Sequence, residues 1–390
     1  MRYFFSAGEA SGDLHASHVI AALRRLDPGA GIAFLGGDAM AAAAWCEPLI
    51  HYRRMAYMGF VDVAAHLPAV LGNLRTARRA IREMRPDRVV LVDYPGFNLK
   101  LADYAHSLGI PVDYYIAPKL WAWKEYRLRK LRRVADRVFS ILPFEPAWFG
   151  ERGLDVTYVG NPSVEEVERA LAGMPEAGEF RARHGLDPRP ILALVPGSRR
   201  GEIKANLPVM DAVARMYPDV QPVVAGAPSI ERDFYSRFTS FPVVEATTLQ
   251  LMAQARASLV TSGTASLESA LAGCPQVVCY RAVGWKWAAD LFTHILKIPY
   301  VSLPNLIYGP IDRATRARVN REAAGTGVRG CVVPEMLVHN CTPAMVARQL
   351  GPLLGDTPER RAQLDGYEVI RARLHTDVPA AETVARLLAR

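Results

Sequence analysis

The sequence predicts an α/β protein built as two doubly wound parallel-sheet domains facing a central cleft. Three observations lead there. Apolar runs alternate with helical segments along the whole chain, and the runs are continuous, as strands buried on both faces require. The series breaks once, after Gly160, in a charged stretch interrupted by Pro and Gly, and then begins again. At 390 residues the chain is too long for one ordinary domain and suits two.

In the first half, strands are predicted at RYFFSA (2–7), IAFLGG (32–37), RVVLVD (88–93), VDYYIA (112–117), VFSILP (138–143) and VTYVG (156–160). Helices such as HASHVIAALRRL (15–26) and LPAVLGNLRTARRAIREM (67–84) lie between them. Residues 161–190 read as the linker region. The second series runs ILALVPG (191–197), VQPVVAGA (220–227), PVVEA (242–246), ASLVTSG (257–263) and PQVVCY (275–280), and the tail from 358 is helical. The expected division is 1–165, 166–357 and 358–390, with no short repeat and no low-complexity segment. In such folds ligands bind outside the carboxyl ends of the strands, which here means the cleft between the two sheets.

Half of the residues are hydrophobic, enough for a well-filled core. Lys and Arg number 47 against 39 Asp and Glu, a net charge of +8 that favours anionic partners such as nucleic acid, phosphorylated substrates or an acidic membrane face. The five cysteines are odd in number and form no C-x-x-C pair, which suits reduced thiols of a cytosolic protein rather than a disulfide frame or zinc site. MRYFFSAGEASGD reaches acidic residues too soon for a signal peptide, and no apolar stretch approaches the roughly 20 residues needed to span a bilayer. A soluble or peripheral protein is expected.

Four places put polar groups at predicted strand ends. In SAGEASGD, Glu9, Ser11 and Asp13 lie close to the start of a helix, where Ser11 or Asp13 can equally serve as its cap. VVLVDYPGF ends an apolar strand in Asp93, well placed for a general base or for bonding the following turn. LVPGSRRGE offers Ser198 and Arg199 to phosphate oxygens, while Arg200 reads as a solvated surface charge. SGTASLE places Ser262, Gly263 and Thr264 at a positive helix end that can receive a diphosphate. Glu268, one turn after Thr264, can take a ribose hydroxyl; the bland alternative makes Thr264 an N-cap and Glu268 an exposed acid.

Other signatures are missing. SAGEASGD is not the G-x-G-x-x-G pattern, so it supports no dinucleotide fingerprint, and the chain has no P-loop and no G-x-S-x-G elbow. No D-x-D pair offers itself to a divalent metal, so the charge on a leaving diphosphate falls to helix amides and Arg, with no metal or other cofactor required. Met55, Tyr57, Met58, Phe60 and Val61, then apolar residues at helical spacing beside Arg75, Arg78, Arg79, Arg82 and Arg85, pair an apolar face with a cationic one. Interfacial membrane segments have that form, and so does core packing. In KLWAWKEYRLRKLRRVADR (119–137), Trp121, Trp123 and Tyr126 stand among seven basic residues before Asp136. Nucleic acid is one reading; aromatic groups just after a strand more often anchor the domain or frame a cleft.

Taken in series, GEASGD, DYPGFN, WAWK, LPFE, PGSRRGE, SGTASLE, VVCYR and VSLPNLI resemble the lipid-A-disaccharide synthases, glycosyltransferases of the two-Rossmann (GT-B) type. The resemblance covers nearly the whole chain. It implies inverting transfer of 2,3-diacylglucosamine from UDP-2,3-diacylglucosamine to 2,3-diacylglucosamine 1-phosphate, giving the lipid A disaccharide 1-phosphate and UDP. By the same likeness Asp93 matches the base that activates the acceptor's 6-hydroxyl. Ser198, Arg199, Thr264 and Glu268 match positions around UDP, and Asn305 belongs to that pocket. Glu9, Ser11 and Asp13 match an acceptor-side loop, and the segment from Met55 matches a membrane-contacting region. A cytoplasmic protein, peripheral on the inner membrane, follows, with a final helix crossing back to the first domain; a homodimer is left open. The sequence departs from the pattern at Asn161, to which no role is assigned, at Gly96, and in an Arg-rich insertion, 308–331, that reads as a phosphate lid or a surface loop and leaves Glu335 beyond it.

Two other functions compete. A UDP-N-acetylglucosamine 2-epimerase-like enzyme would share the fold and need no lipid acceptor. A non-enzymatic basic scaffold binding membrane or nucleic acid would leave the four strand-end motifs without a role, and no nucleic-acid partner is expected.

Overall fold

The computed structural model describes residues 1–55, 67–245, 247–281 and 297–390. The chain forms two compact units, Met1–Pro162 with Thr376–Arg390, and Ser163–His375.

The first unit is a seven-stranded parallel sheet of β1 (Arg2–Ala7), β2 (Gly31–Gly36), β3 (Ile50–His51), β4 (Arg88–Val92), β5 (Val112–Tyr115), β6 (Arg137–Ser140) and β7 (Thr157–Tyr158). Its order is β3-β2-β1-β4-β5-β6-β7. The continuous apolar runs now have their cause. Phe4, Val89 and Leu91 point into a core shared with helices Leu67–Met84, Pro95–Ser107 and Leu128–Val134. Tyr3, Phe5, Val90 and Val92 point the other way, against helices Ala10–Leu26 and Ala380–Leu388. Successive side chains alternate between two covered faces, so every position is apolar.

The second unit repeats the plan with β8 (Ile191–Val195), β9 (Gln221–Gly226), β10 (Val243–Glu245), β11 (Ala255–Thr261), β12 (Gln276–Tyr280) and β13 (Glu335–Leu337), in the order β10-β9-β8-β11-β12-β13. Leu192 and Leu194 pack on one face and Ile191, Ala193 and Val195 on the other.

Several expectations need correction. Residues 161–190 are not an open linker: they carry helices Pro162–Ala172 and Ala177–His184. The edge strands β3 and β13, of two and three residues, were not predicted. The tail divides. Pro358–Leu374 stays with the second unit because its buried Gln363 accepts from the Gln276 amide at 2.5 Å and Arg373 caps the Ile307 carbonyl at 2.7 Å. Only the last helix, Ala380–Leu388, joins the first unit, burying Val384, Ala385 and Leu388. Arg137 ties it down, donating to the Leu387 carbonyl at 2.5 Å while pairing with the fully buried Asp113, also held by Arg88.

The insertion forms helix Arg313–Thr326, which Asp312 caps through the Thr315 amide at 2.9 Å. Arg313, Arg318 and Arg321 are exposed, Arg318 pairing with Glu322, while Arg329 is half-buried and donates to the Pro299 carbonyl and to Asn320.

Candidate active site

Each sheet reverses its strand order at one place, and the candidate residues lie there. In the first unit the reversal falls between β1 and β4, whose carboxyl ends carry Glu9–Asp13 and Asp93. In the second it falls between β8 and β11, followed by Ser198–Arg199 and Ser262–Glu268. At a switch point the outgoing loops part to opposite sides and leave a crevice above the strands.

Asp93 and Tyr94 both adopt the left-handed conformation, with φ of 45° and 47°. Two successive non-glycine residues in that region cost of order 1–3 kcal/mol each, so the surroundings must enforce it. They do. Fully buried Asn98 donates through Nδ2 to the Asp93, Val92 and Ser6 carbonyls at 2.8, 3.1 and 3.2 Å, and accepts from Ser6 Oγ at 2.8 Å. Tyr114 Oη donates to the Asp93 carbonyl at 2.6 Å. Burial pushes the Asp93 carboxyl above its ordinary range, opposed by the charge of Lys119, the Tyr94 amide and the charge of His15. A raised carboxyl near cationic groups is suited to accepting a proton.

The loop after β1 sorts its three polar residues. Glu9 is half-buried at the N-cap of Ala10–Leu26 without capping it through its side chain, and Ser11 is exposed. Asp13 corrects the expectation. Its buried carboxylate accepts from the amides of Gly37, Ala39 and Met40 at 2.6, 3.1 and 3.2 Å, capping the neighbouring helix Asp38–Ala44. It braces the loop, its carboxylate being taken up by these amides.

In the second unit a cavity of about 360 Å³ is lined by Ser198, Arg199, Ser262, Gly263, Thr264 and Glu268. Gly263, with φ of 145°, is the N-cap of helix Thr264–Leu271, and no side chain caps it. Thr264 is therefore the first helical residue, not a cap, and the helix's first amides stay available to an anion. Thr261, also on the lining, is buried with its Oγ1 unpartnered among the described residues. Buried hydroxyls are seldom left so, and this one is a donor in waiting.

Glu202 is a lining residue the sequence reading missed. Its carboxylate accepts from the Ser198 amide and from Arg199 Nη1, each at 3.1 Å, and so holds the turn. Gly197 permits this approach: its φ is 115°, and a Cβ there would stand 2.5 Å from Glu202 Oε2. The quoted motif PGSRRGE contained the signal, an acid one helical turn beyond an exposed Arg. Arg200 is a surface charge as expected, lying over the Phe234 ring.

Asn305 is the second correction. It is fully buried and does not line the cavity. Its Oδ1 accepts from the Val332 and Val333 amides and its Nδ2 donates to the Val333 carbonyl and to Glu335. Glu335, also fully buried, takes the Val301 and Ser302 amides and the Ser302 hydroxyl. The pair locks β13 to helix Leu303–Tyr308.

Met55 is the third. It is 2% exposed and packs in the core of the first unit, out of reach of any surface; Tyr57, Met58, Phe60 and Val61 lie outside the described residues. The tryptophans of WAWK divide. Trp121 is buried and donates to Glu145 at 2.8 Å, whereas Trp123 is exposed beneath the Lys124 ammonium. No described helix is long and apolar enough to cross a membrane.

Comparison with known proteins bears on the family and the fold. The sequence pattern of the family described as "Lipid-A-disaccharide synthetase" matches residues 3–314. A lipid-A-disaccharide synthase of Myxococcus xanthus is 38% identical over 402 residues, spanning 99% of this chain and 97% of its own. Among solved structures, a putative UDP-N-acetylglucosamine 2-epimerase from Listeria monocytogenes superposes with a TM-score of 0.62 at 10% identity, over 99% of this chain and 94% of that one. CalG4, the calicheamicin glycosyltransferase, does so at 0.55 and 15%, over 99% and 97%. Likeness this distant speaks for the fold alone, which is GT-B. The 38% identity and the whole-chain match carry the rest: the chain belongs to the lipid-A-disaccharide synthase family, glycosyltransferases of lipid A biosynthesis.

Proposed function

We propose that the protein transfers 2,3-diacylglucosamine from its UDP carrier to the 6-hydroxyl of 2,3-diacylglucosamine 1-phosphate, with inversion at the anomeric carbon. One observation carries the reading: each unit sets its chemically apt groups at its own switch point, a desolvated carboxylate in the first and an anion cradle in the second. Asp93 takes the proton of the 6-hydroxyl as its oxygen attacks. The glycosidic bond to the diphosphate breaks, and its electrons leave on UDP. The amides opening Thr264–Leu271 and the Arg199 guanidinium meet the charge that develops there. Glu268 receives the ribose.

The test uses both acylated sugars in detergent with excess chelator. UDP release that requires the acceptor is expected, and Asp93→Asn should remove turnover by at least about 10²-fold while UDP-sugar binding persists. UDP appearing without acceptor would favour the epimerase-like reading instead. Activity lost under chelation would overturn the metal-free route.

Contact with an anionic membrane belongs to the same proposal. Helices Leu67–Met84, Pro95–Ser107 and Leu128–Val134 pack side by side on one face of the first sheet. They hold nine Lys and Arg against two acids, Glu83 and Asp103, a net of +7 on one layer of a chain whose total is +8. Such concentration suits a broad anionic surface. Binding to vesicles containing anionic lipid should weaken steeply with salt, and salt-indifferent binding would count against it.

A further inference from the structure

From Val112 to Ala122 every residue is buried except one, Lys119. The segment is held on both sides. Ala117 donates to the Phe139 carbonyl at 3.1 Å, and Ile116 takes a left-handed φ of 63°. Downstream, Trp121 is fixed by its bond to Glu145, which Ser140 Oγ secures at 2.5 Å from the other side. The Lys119 carbonyl itself accepts from the Ala122 amide at 3.2 Å. A locked backbone thus presents a single side chain to solvent at the carboxyl end of β5, the strand next to the one ending in Asp93. Exposed residues on rigid supports of this kind serve ligands more often than packing does.

The Lys119 ammonium makes no hydrogen bond or ion pair with any described side chain. It stands at the carboxyl end of the strand beside β4, and its charge draws the Asp93 and Glu145 carboxyls down. Among the described residues, His15 on the first helix also acts on Asp93. Now consider an acceptor that is a sugar 1-phosphate. Its C1, which bears the phosphate, and its C5, which bears the reacting 6-hydroxymethyl group, flank the same ring oxygen. Both functions therefore sit on one edge of the ring. A base that reaches the 6-hydroxyl must have the phosphate as a near neighbour.

We infer that Lys119 is the anchor for the anomeric phosphate of the acceptor sugar, and that it makes the first unit selective for phosphorylated acceptors. The inference rests on the proposed transferase reading and assigns the acceptor's charged end within it.

The experiment compares 2,3-diacylglucosamine 1-phosphate with the same sugar lacking the phosphate, using the full chain in detergent. Both kcat/KM and acceptor binding by calorimetry are measured. Lys119→Met should lower kcat/KM about ten- to hundredfold for the phosphorylated acceptor, the worth of a hydrogen bond to a charged group, and far less for the other, which loses only the charge that draws Asp93 down. Lys119→Arg should restore most of it. UDP affinity, which depends on the other unit, should hold in both variants and shows that they are folded. An equal loss with both acceptors, with the acid limb of the pH profile moving up, would mean that Lys119 acts through Asp93 alone and would overturn the inference. No loss with either would overturn it too. Wild type that transfers to both acceptors equally defeats the inference and leaves the transferase reading standing. Wild type that transfers to neither defeats that reading, while a calorimetric preference for the phosphate would still support the anchor.

Discussion

Tyr114 Oη, on β5, donates at 2.6 Å to the carbonyl of Asp93, the residue that leaves β4. The bond fastens the backbone of the proposed base and does not involve its carboxylate. Asn98 holds the same carbonyl at 2.8 Å from the following helix. Together they keep a non-glycine residue in a left-handed conformation.

Removing these restraints should cost turnover before it costs nucleotide binding, since the second unit is unaffected. Tyr114→Phe gives up one neutral hydrogen bond, worth about 1 kcal/mol, and should lower kcat up to about tenfold. Asn98→Ala abandons three buried carbonyls at once and should lower kcat further and also reduce Tm. UDP affinity, measured alongside, should match wild type. If kcat stays at the wild-type value in both variants, the turn around Asp93 does not need its braces.

Much of this site was readable from the sequence because its groups follow apolar runs. Asp93, Ser198, Arg199 and Ser262–Glu268 each stand one to seven residues past a strand, and strand ends are where such folds bind ligands. What was not readable is how polar groups are spent. Asp13, Asn305 and Asn98 sit in motifs as telling as that of Asp93, yet each turns inward, toward the Gly37 amide, the Val333 amide and the Ser6 carbonyl of segments distant in sequence. Met55 shows the same limit for apolar residues, since an amphipathic stripe looks alike whether core or bilayer covers it. Strands β3 and β13 were missed, whereas β7 and β10, equally short, were found because they lie within the runs VTYVG and PVVEA; β13 instead begins at an acid straight after Pro334.

The cradle in the second unit depends on a glycine more than on its ion pair. Gly197→Ala puts a Cβ against Glu202 and forces the left-handed turn onto an alanine. We expect UDP affinity to fall at least about tenfold, with a loss of about 1–3 kcal/mol in stability. Glu202→Gln, by contrast, removes a largely exposed Arg199–Glu202 pair at 3.1 Å and should cost less than about 1 kcal/mol. Calorimetric titration with UDP ranks the two. Should Glu202→Gln prove the more damaging, the ion pair and not the turn geometry governs the nucleotide.

Glu145 makes the stability of the protein depend on pH in a definite sense. It is fully buried, and burial pushes its carboxyl from 4.5 up to about 7, despite hydrogen bonds from Ser140 and Trp121 and the nearby charge of Lys119. Between those two values the folded chain keeps a proton that the unfolded chain has lost. The unfolded state binds fewer protons there, so stability falls as pH rises from about 4.5 to about 7 and levels off above. Two and a half pH units correspond to about 3 kcal/mol at most. Glu145→Gln keeps the acceptor for Trp121 and has no proton to lose, so it should match wild type near pH 4.5 and exceed it above pH 7. Denaturant titrations of both proteins at several pH values decide the matter: parallel curves would show that Glu145 ionises in place without penalty, and that the Trp121–Glu145–Ser140 network is more polar than its burial implies.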